Sequence, residues 1–407
     1  MTMLPASAAT GTGIPAGSQF YVPAPNKDAK TQIAALRSSG DKGSAELITR
    51  MTRTPSAVWF TKGSASGVRK EVRTTVNKAA DLGKVPVLVA YNLPFRDCAQ
   101  YSAGGALSVA EYKTWIDGFA AGVGDSTAVV IVEPDGLGII PWYTTINGSQ
   151  DWCKPAAADP STAAADRFAM LNYAVDALKA KPNTSVYLDG THSAWLGTGD
   201  AADRLFKAGV QRANGFFVNV SNYQPTPQLL KYGSWISKCI YYGTNPAEGG
   251  WRLGHFDYCA SQYYPANPSD FSTWGLTDTW YADNVDNAAN PPAGSDVLAH
   301  FVIDTSRNGQ GPWTVPAGTS YPDAQDWCNP PDRGVGLRPT TGTGNPLADA
   351  FLWVKIPGES DGQCDRGTGT GLDPARGNMA DPAAGAWFPQ QALELATLAN
   401  PPLAPTP

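Results

Sequence analysis

Carboxylic acid side chains stand a few positions behind several short apolar segments of this chain. The residues that share this placement are Asp97, Asp135, Asp189, Glu359 and Asp361. Carboxyl groups that are brought close together repel one another as anions, so their pKa values separate and one can stay protonated while another is ionised. One residue type can then supply both the acid and the base of a reaction. The pattern therefore predicts acid–base catalysis by carboxyl groups.

Other kinds of catalytic machinery are not visible in the sequence. The three histidines, His192, His255 and His300, are far apart in the chain and form no zinc-type cluster. No glycine-rich phosphate loop and no arrangement typical of a Ser-His-Asp or Cys-His nucleophile is evident. We therefore expect no metal and no cofactor, which leaves carboxyl chemistry as the main interpretation.

Aromatic and charge content narrow the class of substrate. The chain has 13 tryptophans, and tryptophan beside turn-forming residues suits stacking on a ligand better than core packing. Flat aromatic faces cover the C–H faces of pyranose rings, while carboxylates and amides bind sugar hydroxyls. The net charge of −6 argues against a nucleic-acid or anionic-membrane partner, and no apolar run is long enough for a spanning helix. Together these features predict hydrolysis of a glycoside.

A repeated pattern of apolar strands and helical segments must position the acidic residues. Predicted strands cover residues 57–60, 85–91, 128–132, 185–188, 216–220, 301–303 and 350–354. Predicted helices cover residues 66–82, 108–122, 162–180 and 199–213, with Ser108 and Glu111 typical of a capping box. Alternating strands and helices favour a parallel sheet, and about seven such units fit an incomplete α/β barrel. The carboxyl ends of parallel barrel strands meet on one face, so we expect the acidic side chains at a common mouth.

The cysteines indicate an oxidising compartment. All six lie near turn-forming residues and none forms a CxxC pair, which is typical of disulfides, although six cysteines allow 15 pairings. Residues 1–20 lack the basic and apolar regions of a leader peptide, so we interpret the chain as a mature or recombinant form of a secreted, extracellular protein. We predict a disordered or recombinant extension over residues 1–17, a single catalytic domain over 18–403 and the start of a Pro/Thr linker at 404–407. A carbohydrate-binding module beyond that linker is a hypothesis.

Seven motifs, taken in their order along the chain, resemble glycoside hydrolase family 6, the inverting cellulases. They begin at Tyr91 (YNLPFRDC), Ile131 (IVEPD), Asp189 (DGTHSAW), Asn219 (NVSNY), Asp304 (DTSRNG), Asp326 (DWCN) and Lys355 (KIPGESDG). The resemblance extends over nearly the whole chain, from residue 20 to residue 403. It implies a distorted, incomplete α/β barrel with long surface loops and a cellulose-binding cleft or tunnel across its face.

The resemblance also implies catalytic roles. Asp135 looks like the general acid that protonates the leaving glycosidic oxygen. Asp97 looks like the neighbour whose charge keeps Asp135 protonated and stabilises the developing oxocarbenium ion. Asp361 looks like the candidate base for an inverting attack by water.

Further residues match the sugar-binding positions of the family. They are Trp59, Tyr91, Asp189, His192, Trp195, Asn222, Trp327, Lys355 and Glu359. For Trp59, a place in the barrel core is the competing interpretation. The resemblance also implies disulfides between Cys98 and Cys153 and between Cys328 and Cys364, which leaves Cys239 to pair with Cys259.

Loop length bears on the mode of cutting. Within the family, long loops roof a tunnel for processive release of cellobiose from non-reducing ends, and short loops leave an open cleft for internal cutting. Segments 361–387 and 224–299 are long for a compact domain, which favours an exo-acting cellobiohydrolase, with an endo-β-1,4-glucanase as the alternative. The path of residues 364–385 and 239–290 relative to the mouth is expected to separate the two.

Cellulose chains and cello-oligosaccharides are the expected partners, and we expect a monomer without nucleic-acid or membrane partners. Two other interpretations stay open at this point. A catalytically inactive glucan-binding barrel would have little reason to keep Asp97, Asp135 and Asp361 together. A retaining glycosidase would release the opposite anomer first.

Overall fold

A single parallel sheet forms the centre of the molecule. Residues 13–245 and 250–404 are described by a computed structural model. Within these residues the sheet has seven strands, each paired with the next in chain order. They are β1 (Val58–Phe60), β2 (Val87–Ala90), β3 (Ala128–Val132), β4 (Thr184–Asp189), β5 (Gly215–Val218), β6 (His300–Asp304) and β7 (Ala348–Leu352). All six pairings are parallel, which confirms the predicted incomplete barrel.

Helices cover the outside of the sheet and the gap between its two edge strands. In the described residues they are α1 (Lys27–Ser38), α2 (Lys42–Thr52), α3 (Ala65–Asp81), α4 (Val109–Val123), α5 (Ala163–Lys179), α6 (Thr198–Lys207), α7 (Thr226–Thr244), α8 (Gly275–Tyr281) and α9 (Pro389–Thr397). No described helix combines the length and the apolar character that crossing a bilayer requires.

The local signals in the sequence explain where the crossover helices begin. Val68, Val72 and Val76 recur every four residues on α3 and are all buried, which places an apolar stripe against the sheet. At the start of α4 the Ser108 hydroxyl accepts a hydrogen bond from the Glu111 N–H at 3.2 Å. The reciprocal bond of the predicted capping box goes instead from the Leu107 N–H to the Glu111 carboxylate, at 3.0 Å.

The two edge strands of the sheet, β1 and β7, do not pair with each other in the described residues. We call the gap between them the seam. The Ala57 N–H donates to the Trp353 carbonyl at 2.9 Å, and the Trp59 indole N–H donates to the Val354 carbonyl at 2.8 Å. Outside the seam, α1, α2 and α9 bury a separate apolar cluster that includes Trp353 and Trp387. The barrel is therefore closed by isolated bonds and by packing of the chain ends.

Three disulfides cross-link the chain around the barrel. Cys98 is bonded to Cys153, Cys239 to Cys259 and Cys328 to Cys364, and the six cysteines leave none free. The first pair joins the loops after β2 and β3, and the last joins the loops after β6 and β7. The structure thus contains the pairings that the family resemblance implies.

Residues 13–17 are the described part of the predicted N-terminal extension. Residues 1–12 of the predicted N-terminal extension, and residues 405–407 of the predicted linker, lie outside the described residues. Ile14 is buried, and the Gly17 N–H donates to the Thr341 hydroxyl at 2.9 Å. Within residues 13–17, therefore, an apolar side chain packs into the barrel interior.

Candidate active site

A cleft with a volume of about 630 Å³ lies at the carboxyl ends of the strands, where a parallel barrel is expected to carry its site. Eleven of the twelve predicted catalytic and binding residues line it: Trp59, Tyr91, Asp97, Asp135, His192, Trp195, Asn222, Trp327, Lys355, Glu359 and Asp361. Asp189 does not belong to this lining and lies buried beneath it. The three predicted catalytic aspartates thus share one mouth.

The backbone around this mouth is strained at several non-glycine positions. Residues with φ between +40° and +72° lie in the loops that follow β2, β3, β4, β5 and β6. They are Asp97, Cys98, Glu133, Asp135, Thr191, Asn219, Ser221 and Asn329. A left-handed conformation at such residues costs about 1–3 kcal/mol each and persists where the surrounding structure holds it. The concentration of these positions at one face supports a functional role for that face.

Asp135 follows β3, and its surroundings favour the protonated form of its carboxyl. Burial raises the pKa of its carboxyl well above the usual value, and the nearby charges of Asp189, Asp97 and Asp361 raise it further. Lys355 opposes this shift only in part. A carboxyl that keeps its proton at the working pH and faces a cleft can act as a proton donor.

Asp97 lies in the loop after β2. Burial raises its pKa to about 6, against the lowering effects of the Ser102 N–H and of Arg96. The Ser102 N–H donates to the Asp97 carboxylate at 2.7 Å. Arg96 fixes this loop by donating to the Tyr91 carbonyl at 2.6 Å and the Thr61 carbonyl at 3.0 Å. Above about pH 6 Asp97 is therefore an anion beside the proton on Asp135.

Asp361 is, in contrast, a buried but ionised carboxylate. Burial alone would raise its pKa, but Arg307 and Lys355, together with hydrogen bonds, lower it below the usual value. The Arg307 guanidinium lies 2.8 Å and the Lys355 ammonium 3.2 Å from the carboxylate oxygens. The Asn329 N–H donates to it at 2.9 Å. The cleft thus contains a protonated and an ionised carboxyl group, which is the arrangement that acid–base chemistry needs.

Asp189 holds the floor of the cleft. Its carboxylate accepts hydrogen bonds from the N–H groups of Leu137 and Gly138, both at 3.1 Å, and of Thr191 at 2.9 Å. Because its oxygens are bound to backbone and its side chain is buried, the structure gives it a positioning role. Substrate binding by Asp189 stays a prediction, and in this structure its carboxylate is held by backbone N–H groups. Its burial raises its own pKa to about 6.

Aromatic side chains form several walls of the cleft. Trp59 contacts Tyr91 edge-on, with ring centroids 5.4 Å apart, and it packs on the barrel interior while also lining the cleft. The two interpretations of Trp59 are therefore compatible. Trp195 lies over Gly138, where an added Cβ would come within 2.4 Å of the indole. Only glycine at position 138 leaves room for that ring.

The predicted polar partners lie between these aromatic walls. Burial lowers the pKa of His192 to about 4, so its ring is neutral and can both donate and accept hydrogen bonds near neutral pH. Burial raises the pKa of Glu359, and Lys355 lowers it in part. The Lys355 N–H donates to the buried carboxylate of Asp304 at 2.9 Å. Asn222 completes this set of groups in the lining.

Tyr101, Trp152 and Gln224 line the cleft and Arg307 binds Asp361, yet sequence reasoning does not identify them. The sequence contains a signal for Trp152 and for Arg307. Trp152 is next to Cys153, and the partner of that cysteine, Cys98, is next to Asp97. Arg307 lies directly behind β6. Tyr101 and Gln224 have no such signal, because loop conformation alone brings them to the cleft.

The two long segments take different paths. Ala384 and Gly385 of the segment 364–385 line the cleft, and no described residue of 239–290 does. The second segment instead supports the loop after β4 from outside. The Gln262 amide donates to the Ser193 and Leu196 carbonyls at 3.0 and 2.9 Å.

Among the described residues, no group of three His, Cys, Asp or Glu side chains is arranged to hold a metal ion. The chemistry that the described site can perform with its own residues is proton donation, charge stabilisation and hydrogen bonding in an aromatic-lined groove.

Comparison with known proteins gives a consistent result. Residues 15–399 match the family described as glycosyl hydrolases family 6. Endoglucanase A of Thermobispora bispora is 32% identical over 386 residues, which is 95% of this chain but only 63% of that protein's length. The 1,4-beta-D-glucan cellobiohydrolase C of Emericella nidulans is 30% identical, covering 97% of this chain and 80% of that protein. The endoglucanase Cel6 of Mycobacterium tuberculosis, solved with a thio-linked cellobiosyl cellobioside, is 31% identical, with a TM-score of 0.65 over 94% of this chain and 98% of that one.

Proposed function

The chain belongs to glycosyl hydrolase family 6, and from this we propose that it is a secreted cellulase that hydrolyses β-1,4-glucosidic bonds with inversion. The observation that carries the proposal is the convergence of a protonated Asp135 and an ionised Asp361 in one aromatic-lined cleft. The names of the relatives, which include endoglucanases and a cellobiohydrolase, support the same substrate class.

In the proposed mechanism Asp135 transfers its proton to the glycosidic oxygen as the bond to the anomeric carbon breaks. The charge of the oxocarbenium-like transition state is stabilised by Asp97. Water attacks the opposite face of the ring and loses a proton toward Asp361. Because two cations bind Asp361, it is a weak base. We propose that it orients the water and takes up the proton only as the new C–O bond forms.

We further propose that the enzyme cuts internally. The exo expectation depends on two long segments, and the described part of 239–290 lines no part of the cleft. The chain after Asp361 is tied to the loop after β6 by Cys364, which leaves two residues between the carboxylate and the anchor. Of the segment 364–385, only Ala384 and Gly385 are among the described residues that line the cleft, so most of that segment lies away from it.

Exo action is the second candidate, and one contact favours it. The loop after β2 meets the loop after β7 at Gly362, where an added Cβ would lie 2.3 Å from the Cβ of Tyr101. The Tyr101 ring also lies 6.1 Å from the ring of Trp327. A contact of this kind encloses the cleft locally.

Digestion of carboxymethylcellulose separates the two candidates. For internal cutting we expect a steep loss of viscosity at low release of reducing sugar, since each cut in the middle of a chain shortens it most. Proton NMR of a cello-oligosaccharide digest should show the α-anomer first. Slow viscosity loss with cellobiose as the main product would contradict internal cutting, and β-anomer first would contradict inversion.

Replacing Asp97 by Asn is expected to move the alkaline limit of activity to lower pH. Activity needs protonated Asp135 and is lost as pH rises through its raised pKa. Removing the Asp97 charge removes one of the causes of that raised pKa, so deprotonation sets in earlier. The pH profiles of kcat/KM for both proteins measure the shift. An unmoved or upward-shifted limit would contradict the role of Asp97, and Asp81→Asn on the outer surface is the control.

A further inference from the structure

A second groove lies next to the cleft, on the outer side of the seam. Its volume is about 370 Å³, within the range of about 300–1,000 Å³ of small-ligand pockets. The segment 23–26, the end of α2, the residues leading into β1 and the loop after β7 form its walls. We call it the seam groove.

The seam groove and the cleft share two residues. Trp59 and Glu359 line both of them, so the two spaces adjoin at these side chains. The side chain of Asn26, a residue of the groove, lies close enough to the Glu359 carboxyl to lower its pKa in part. A chain bound in the cleft beside Trp59 therefore has a direct continuation into the seam groove.

The groove exists because the barrel lacks a strand between β7 and β1. The isolated bonds of Ala57 and Trp59 close the seam at the level of the strands. Beyond them, the loop after β7 and the segment from α2 to β1 diverge. A strand at this position would fill the space between them, so the incomplete barrel opens the wall of the mouth on this side.

The lining of the seam groove fits a neutral polyhydroxyl ligand. Half-buried apolar surface comes from Pro23 and Pro25, while Pro357 and Trp387 line the groove as buried residues. Hydroxyl groups come from Thr52 and Ser56. None of the described residues that line it is Lys or Arg, which argues against a phosphate or another anion. Apolar surface with a few polar groups is the usual composition of a small-ligand site.

We propose that the seam groove binds a further glucosyl unit of the glucan chain, beyond the sugar beside Trp59. This rests on the proposed cellulase function. The chain passes between Trp59 and Glu359, places an apolar ring face on Pro23 and Pro25, and hydrogen-bonds to Asn26, Thr52 and Ser56. The enzyme therefore has a binding position outside the barrel mouth, and glucans that reach it bind more tightly than those that end in the cleft.

Two substitutions test this binding position. Ser56→Trp fills the seam groove with an indole. Asn26→Ser removes the amide that faces the ligand but keeps an oxygen that can accept the Asp28 N–H, the bond that caps α1. Ser269→Trp, at an exposed residue of the segment 239–290, is the matched control. For each protein, kcat/KM on cellotetraose and cellohexaose and the product distribution from cellohexaose are measured.

We expect Ser56→Trp to lower kcat/KM on cellohexaose about tenfold, which corresponds to about 1.4 kcal/mol, and to leave that on cellotetraose unchanged. The share of cellotriose among the products should fall, because that product needs a third sugar on the groove side. Asn26→Ser should shift both readouts in the same direction by a smaller factor. Ser269→Trp should behave as the parent protein.

An unchanged chain-length preference and product pattern in both groove variants would overturn the proposal while leaving the cellulase assignment intact. Absence of glucan hydrolysis by the parent protein would instead overturn the proposed function. If Ser56→Trp does not fold, Asn26→Ser alone decides, and parent-like values for it would count against the groove.

Discussion

Replacing Asp135 by Asn should lower kcat on cellulose by about 10²–10⁴-fold, the usual contribution of a general acid. The amide keeps the size of the side chain but cannot transfer a proton to the leaving oxygen. Binding of cello-oligosaccharides should be retained, since the aromatic walls and the polar groups around them are unchanged. Steady-state kinetics and isothermal titration calorimetry of the same preparation measure the two effects.

The leaving group provides the control for this substitution. An aryl β-cellobioside with a dinitrophenolate leaving group needs no protonation, so Asp135→Asn should cleave it at a rate close to that of the parent enzyme. Selective loss on unactivated substrates identifies a proton donor, whereas equal loss on both would indicate misfolding or a different role. Turnover of cellulose near the parental value would show that Asp135 is not the acid.

Replacing Arg307 by Met should destabilise the fold by about 3–5 kcal/mol, as expected when one partner of a buried ion pair is removed. The side chains of Arg307 and Asp361 are 0% and 6% exposed. The guanidinium also lies 4.4 Å from the centre of the Tyr223 ring. Urea unfolding followed by tryptophan fluorescence measures the free energy. The pKa of Asp361 should rise, because Arg307 is the strongest of the groups that lower it, so activity at low pH should be lost.

Two variants show whether this effect belongs to the buried pair. Arg212→Met removes an exposed pair with Asp176 and should cost about 0–1 kcal/mol. The double variant with Arg307→Met and Asp361→Asn should be less destabilised than the sum of the two single variants, since no unpaired buried charge remains. Strict additivity of the two changes would contradict the proposed coupling.

The crossover pattern was strong enough to predict the fold from the sequence. Apolar runs such as 128–132 are buried on both faces of the sheet, so they predict β3 with its observed bounds. Helices α1 and α2 were missed, because they pack on α9 and on the seam and belong to no crossover between strands. Their amphipathic character depends on tertiary partners that are distant in the chain.

The catalytic centre could be predicted to the extent that it follows strand ends. Asp97 and Asp135 lie in the loops after β2 and β3 and line the cleft, as expected where the carboxyl ends of parallel strands meet on one face. Asp189 is the last residue of β4 and is bound by three backbone N–H groups, and sequence reasoning cannot detect such bonds. Arg307 was not predicted as a site residue, because only the folded loop reveals that it binds Asp361.

The three disulfides connect residues 55, 20 and 36 positions apart, and none of these described links joins β1 to β7. The loops after β2, β3, β6 and β7 are therefore covalently restrained, whereas the described segments near the two chain ends, which include α1, α2 and α9, are held by noncovalent packing. We expect the lowest-energy opening of the native molecule to release these ends together, well before the cross-linked loops separate. Limited proteolysis and amide exchange should then begin near α1, α2 and α9 while hydrolytic activity persists.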